Sequence, residues 1–248
     1  MPGAENRRNN MKSSILKEVK DGFFGIFFPQ QCRTCLRYMK DFKYEYVCRN
    51  CFESMRKLEA PMCTVCGKPL SSEAGECREC RERKNYFEYC RPAGVYEGAL
   101  KDIIYALKFD YRERAAKVLA EYICEKTALN HLPNDYVIVP VPANRSAVKK
   151  RGFCHIKAAA KHISARTGHR TMDIITKVKE TEAQNKLERK KRLTNLKGAF
   201  KADERAAGIK AAVLDDVFTT GSTINEAAKA LKKAGAVSVI GVVAARSI

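Results

Sequence analysis

Eight of the chain's eleven cysteines fall before residue 81 in four pairs of one spacing, C-x-x-C: Cys32/Cys35, Cys48/Cys51, Cys63/Cys66 and Cys77/Cys80. The pairs are separated by 12, 11 and 10 residues (36–47, 52–62 and 67–76). A C-x-x-C turn aims two thiolates at one ion, and tetrahedral Zn²⁺ needs two such turns. The near-even intervals predict a repeated zinc-ribbon unit about one hairpin long, holding two zinc ions. Four thiolates leave no open position for water, so both ions are expected to be structural. Joining consecutive pairs is the simplest assignment, and crossed pairing satisfies the same spacing. So small a ribbon has little core, and metal binding should supply much of its folding energy. A disulfide scaffold would need an oxidising compartment, and a dithiol redox motif would occur once, within a βαβ unit. Cys90, Cys124 and Cys154 lack partners at this spacing and read as small buried or surface residues.

The apolar patch Phe23 to Phe28 is preceded by Glu18, Lys20 and Asp21 and followed by no small-residue cleavage site. Residues 1–28 therefore read as a tail and amphipathic docking segment, not a secretory signal. No apolar stretch approaches the roughly 18–20 residues that span a bilayer, so no membrane insertion and a cytoplasmic location are expected. Lys plus Arg number 47 against 28 Asp plus Glu, a formal charge of +19. Eight thiolates subtract 8 and two Zn²⁺ add 4, which leaves +15. Such an excess suits a polyanion: nucleic acid or a polyphosphate metabolite.

After the ribbon region, 29–90, the texture changes to strands alternating with helical patterns over 91–248. A short strand is predicted at Ala93 to Tyr96. Helical apolar spacing follows at Leu100, Ile103, Ile104 and Leu107, and again at Val118, Leu119, Tyr122 and Ile123. "DYVIVPVPA" (135–143) reads as a buried strand, followed by a basic loop and a helix near Ile156 to Thr167. "TMDIITKV", "GAFKA" (198–202), "GIKAAVLDDV" and "VSVIGVVAAR" read as strands, and Ile224 to Ala234 as a helix. That alternation predicts a largely parallel α/β sheet, whose ligands bind outside the carboxyl ends of the strands.

At one such end stands "AAVLDDVFTTGSTINEA" (211–227). A buried strand delivers Asp215 and Asp216 to the sheet edge. Thr219, Thr220, Gly221, Ser222 and Thr223 then make a turn into a helix, whose first N–H groups favour an anion. A phosphate for the turn and adjacent hydroxyls for the acids match this layout, as in a ribose 5-phosphate. A P-loop NTPase is excluded, because G-x-x-x-x-G-K-[ST] does not occur. Simple helix capping accounts for neither the two acids nor the run of polar residues.

"VLDDVFTTGST" resembles the PRPP-binding signature of type I phosphoribosyltransferases. With the double zinc ribbon, "YEGALKDIIYALKF", "VPVPANRSAVKKRGF" and "AQNKLERKKRLTNLKGAF", it is similar in content and order to the ComF (ComFC) family over about residues 23 to 246. The resemblance implies a type I phosphoribosyltransferase-like parallel sheet flanked by helices, preceded by the ribbons. It implies that Asp215 and Asp216 hold the ribose hydroxyls and Thr219 to Thr223 the 5′-phosphate. It also implies a link to DNA uptake and competence, and with it competence-machinery partners. The family commonly reads Arg-Gly-Phe-Asn-Gln where this chain has Arg151-Gly152-Phe153-Cys154-His155. His155, His162 and His169 recur every seven residues and are expected on a solvated helix face or loop.

Two stretches concentrate charge. The first holds Arg145, Lys149, Lys150, Arg151 and Lys157; the second holds Lys186, Arg189, Lys190, Lys191, Arg192 and Lys197. Phosphoribosyltransferase-like folds place their pyrophosphate loop at the first. Arg145 and Lys150 are expected to contact PRPP there, Arg151 to assist the leaving pyrophosphate, and magnesium to accompany PRPP. The expected reaction is displacement of pyrophosphate at ribose C1 by an unknown nitrogenous acceptor. The alternative is a non-catalytic module that binds single-stranded DNA through ribbons and basic loops, with Phe153, Phe109, Tyr111 or Tyr86 stacking bases.

Overall fold

The computed structural model describes residues 30–39, 44, 46–71, 75–179 and 196–248. The expected docking segment at 1–28 lies outside the described residues, as do Lys186, Arg189, Lys190, Lys191 and Arg192 of the second basic stretch. The chain divides into two units, one ending at Ser54 and the other running from Met55 to Ile248.

Both ribbon repeats obey one local rule. In the first, an antiparallel bridge between Gln31 and Tyr38 closes the knuckle, with Cys32 N donating to Arg37 O at 2.8 Å and Leu36 N to Cys32 O at 2.9 Å. Cys48 then caps a short helix, α1 (Arg49–Glu53). In the second, Met62 bridges Pro69, Cys63 N donates to Lys68 O at 2.7 Å and Gly67 N to Cys63 O at 2.9 Å. Cys77 caps α2 (Arg78–Arg81). Leu36 and Gly67 occupy the same left-handed position, at φ +59° and +66°, where glycine carries no Cβ penalty. The repeats differ in their cores. The first closes on Met39, Val47 and Phe52, with Tyr44 stacked on Phe52 at 4.0 Å. The four cysteines of the second are buried within the core of the α/β unit itself.

That unit is built on four parallel strands in the order β1-β6-β5-β2: β1 (Cys90–Val95), β2 (Tyr136–Pro140), β5 (Lys210–Phe218) and β6 (Ser238–Arg246). Strands covered on both faces read as continuous apolar runs, and every residue of β6 is buried. One face packs against α3 (Gly98–Lys108), α4 (Ala115–Lys126) and α6 (His155–Thr167). The opposite face, carrying Val137, Val139, Ala211, Val213, Val239 and Val243, packs against α7 (Ser222–Lys233). On α7, Ile224, Ala227, Ala228 and Leu231 form the i, i+3, i+4, i+7 stripe that a buried helix face requires.

Three expectations need correction. The segments "TMDIITKV" and "GAFKA" do form strands, but β3 (Ile175–Lys177) and β4 (Phe200–Ala202) pair antiparallel outside the parallel sheet, which the first segment touches through a bridge of Thr171 to Ile138 of β2. The basic loop after β2 is a helix, α5 (Arg145–Arg151), stopped by Gly152 at φ +86°. The first strand begins at Cys90, where pairing with Gly241 of β6 starts.

Candidate functional site

The carboxyl ends of β2, β5 and β6 meet the Thr219–Thr223 turn, α5 and the first turn of α6. Consecutive strand residues point to opposite faces, so Asp215 and Asp216 stand in different surroundings. Asp216, 5% exposed, faces the helices, and its Oδ2 lies 2.7 Å from Lys108 Nζ and 2.5 Å from His155 Nε2. His155, 7% exposed, receives Arg151 at Nδ1 over 2.8 Å. A guanidinium only donates, so Nδ1 accepts and Nε2 carries the proton given to Asp216. The imidazole is therefore neutral. Burial, helped by the Lys108 and Arg151 charges, holds its pKa below the ordinary value against the pull of Asp216. Arg151 also donates through Nε and NH2 to Lys108 O, at 3.1 and 2.9 Å.

Burial opposes the charge on Asp216, but the Lys108 ammonium and the His155 hydrogen bond outweigh it and keep the carboxyl well below its usual range. Asp215 is half-buried. Its Oδ1 accepts from the Asp216 amide at 2.9 Å. Burial first, then the adjacent Asp216 charge, push its carboxyl up to about 7. The pair is thus split into a locked carboxylate and one able to take on a new donor.

The turn follows at once. Gly221, at φ +77°, caps α7. A Cβ there would collide with the Phe218 ring and come within 2.9 Å of Arg83 NH2, so the backbone reaches this close only as glycine. Thr220 Oγ1 and Ser222 Oγ are 2.7 Å apart. A cavity of ≈ 260 Å³ opens beside the turn, lined by Phe218, Thr219, Thr220, Arg83, Arg246 and Cys80 of the second ribbon. Arg145 and Lys150 are exposed on α5, whereas Arg151 turns inward.

The cysteines gather as consecutive pairs: Cys32, Cys35, Cys48 and Cys51 in one group, Cys63, Cys66, Cys77 and Cys80 in the other, with all sulfurs of a group within 4.8 Å of one another. The sulfurs of Cys35 and Cys48 lie 3.8 Å apart, and those of Cys66 and Cys77 3.7 Å. With a Zn–S bond of about 2.3 Å, a tetrahedron has an edge of about 3.8 Å. Amides of Cys66 and Cys77 also point at Cys63 Sγ, at 3.5 and 3.2 Å, as they would toward a thiolate. Both four-cysteine sites fit zinc. Among the described residues these are the two groups of three or more Cys, His, Asp or Glu that gather in this way.

Sequence reasoning missed four residues here. Lys108 ends an apolar helix, a position that hints at a buried partner; Arg83 and Arg246 carry no local signal. His155 was expected on a solvated face with His162 and His169. His155 and His169 are instead buried, and only His162 is exposed. Only the first turn of α6 reaches the end of β5, where Asp216 captures His155. Cys90 and Cys124 are buried and Cys154 is half-buried.

Residues 23–81 match the double zinc ribbon domain. The chain is 28% identical over 200 residues to "DNA utilization protein YhgH" of Salmonella typhimurium, covering 78% of this chain and 87% of that protein. It is 28% identical over 217 residues to "Competence protein F" of Haemophilus influenzae, covering 84% and 93%. With "Competence protein ComFC" of Bacillus subtilis it shares 24% over 197 residues, covering 77% and 80%. A double zinc ribbon followed by a parallel α/β sheet, with such similarity to proteins of the ComF type along most of the chain, supports a ComF family protein.

Proposed function

We propose that the protein binds PRPP at the carboxyl edge of its sheet, acts as a phosphoribosyltransferase-like component of DNA uptake, and passes the phosphoribosyl group to a nitrogenous acceptor. The observation that carries the reading is the split acid pair directly preceding a glycine-pinned, hydroxyl-rich turn. The names of its relatives, which speak of competence and DNA utilization, support the cellular setting.

In this reading the 5′-phosphate sits on the N–H groups of Thr219 to Thr223, and Asp215 accepts from the ribose hydroxyls. Asp216, tied to Lys108 and His155, orients the strand end that presents Asp215. Exposed Arg145 and Lys150 balance the diphosphate, with Arg151 bracing the helix that carries them. Magnesium bound together with PRPP would neutralise part of the diphosphate charge beside Arg145 and Lys150. As the C1–O bond to pyrophosphate breaks, the leaving group takes the electron pair, and the acceptor nitrogen forms the new bond to C1. Positioning and charge stabilisation drive such a step without a protein nucleophile.

The test is calorimetric titration of PRPP and Mg²⁺ into zinc-loaded protein, beside Asp215→Asn and Asp216→Asn. Asp215→Asn is expected to weaken binding about tenfold or more, the worth of a charged hydrogen bond, without loss of stability. Asp216→Asn should lower both. Hydroxyl donors favour the ionised acid, so affinity should strengthen as pH rises through about 7. Wild-type protein that takes up no PRPP would remove this reading.

A second reading, single-stranded DNA binding, has its own observation. Tyr105, Phe109 and Tyr111 are 44%, 43% and 40% exposed, the first two rings lie 4.7 Å apart, and Arg112 and Arg114 are exposed beside them.

A further inference from the structure

The phosphate turn is held from the second zinc ribbon. Asn85 Nδ2 donates to the carbonyl of the ligand residue Cys80 at 2.9 Å. Its Oδ1 accepts from Arg83 Nε at 2.8 Å. Arg83 NH1 then donates to the carbonyl of Thr220, within the turn. The guanidinium is further placed by two aromatic rings, Phe87 at 5.9 Å and Phe218 at 6.0 Å. Two other links run the same way. Arg246 NH1 donates to Cys66 O at 2.9 Å while its guanidinium lies 4.7 Å over Phe218, the ring beneath Gly221. Tyr86 N donates to Asn225 Oδ1 at 2.8 Å and Asn225 Nδ2 to Lys84 O at 3.1 Å, tying the first turns of α7 to the same segment.

We propose that Arg83 is a positioning residue for the phosphate turn and that the metal-bound Cys63/Cys66/Cys77/Cys80 ribbon sets it in place, so that the state of this centre governs anion binding at Thr219–Thr223. The peptide plane supplies the reason. In a trans peptide the C=O and the following N–H point in opposite directions, so a guanidinium drawing the Thr220 carbonyl toward the ribbon turns the Gly221 N–H outward. Gly221 adopts a left-handed conformation and is free to hold either peptide orientation, so the choice falls to Arg83. Without metal, the thiol quartet no longer anchors Cys80, and the path through Asn85 loses its fixed end.

The proposal rests on the PRPP reading only for the identity of the anion, and its first readout does not need PRPP. Amide hydrogen exchange over 219–223 would be followed in the full zinc-loaded chain for wild type, Arg83→Ala, Arg83→Lys and Asn85→Ala, with zinc content measured alongside. Arg83→Ala is expected to keep two zinc ions, speed exchange in the turn about tenfold and weaken PRPP about as much, the worth of one charged hydrogen bond. Lysine should rescue neither, since one ammonium cannot serve Asn85 and Thr220 in the guanidinium's fork geometry. Chelation of zinc followed by its return should speed and then restore turn exchange. Unchanged exchange in Arg83→Ala with both ions retained overturns the proposal. If wild type binds no PRPP but Arg83→Ala still loosens the turn, the functional reading fails and the role of Arg83 stands.

Discussion

His155 shows how one side chain can replace another in a buried network. As the neutral Nε2–H tautomer it donates to Asp216 and accepts from Arg151. A glutamine amide, the residue that the resemblance to the ComF family puts at this position, offers the same donor and acceptor. The replacement leaves a signature in pH. The folded-state pKa of His155 lies below its unfolded value of about 6.5, so below that pH the unfolded chain binds the additional proton and stability falls as pH drops. Asp215, raised to about 7, acts oppositely: its folded form holds the proton longer, and stability falls as pH rises through about 7. The two effects offset one another in the wild type. His155→Gln removes the first alone. Urea midpoints between pH 5 and 8 should show the variant gaining on wild type as pH falls, by up to about 1.4 kcal/mol per pH unit. Parallel profiles would contradict a neutral buried imidazole.

At the scale of elements, α3 does two jobs from opposite sides. Its buried stripe, Leu100, Ile103, Ile104 and Leu107, packs into the unit, and Lys108 at its end reaches Asp216. A Lys–Asp pair so enclosed is costly to break from one side, about 3–5 kcal/mol. The outer side carries Tyr105 and Phe109, exposed and in ring contact. If this is a stacking platform, Phe109→Ala should weaken binding of a thymidine oligonucleotide by about 1–3 kcal/mol in fluorescence anisotropy, and affinity should fall steeply between about 50 and 200 mM salt. Equal affinity for the variant and wild type would discard the platform. Because Lys108 and Phe109 are adjacent, Asp216 and the exposed rings are fixed by the same helix end.

At the scale of the molecule, the two zinc sites differ in what depends on them. The first ribbon closes on its own small core, whereas Cys63, Cys66, Cys77 and Cys80 are built into the α/β core with Phe87 and Phe218. Cys35→Ser should therefore lose one zinc and leave the melting of 55–248 in place. Cys66→Ser should lose the other and lower that transition by about 10 °C, the shift expected for a few kcal/mol in a unit of this size. Calorimetry with zinc analysis separates the cases, and equal shifts would refute the difference. Much of this plan was legible in the chain. Four C-x-x-C pairs specify two tetrahedral sites because each knuckle is a local turn. "AAVLDD" followed by "TTGST" specifies a buried strand that delivers acids to a turn because both patterns lie within a few residues. Tertiary structure alone decided which acid is locked and what grips the turn. His155 lies 61 residues from Asp216, and Arg83 lies 137 residues from Thr220. Periodicity and spacing encode only what a chain does with its near neighbours; contacts at such separations exist only after the sheet has brought its strand ends together.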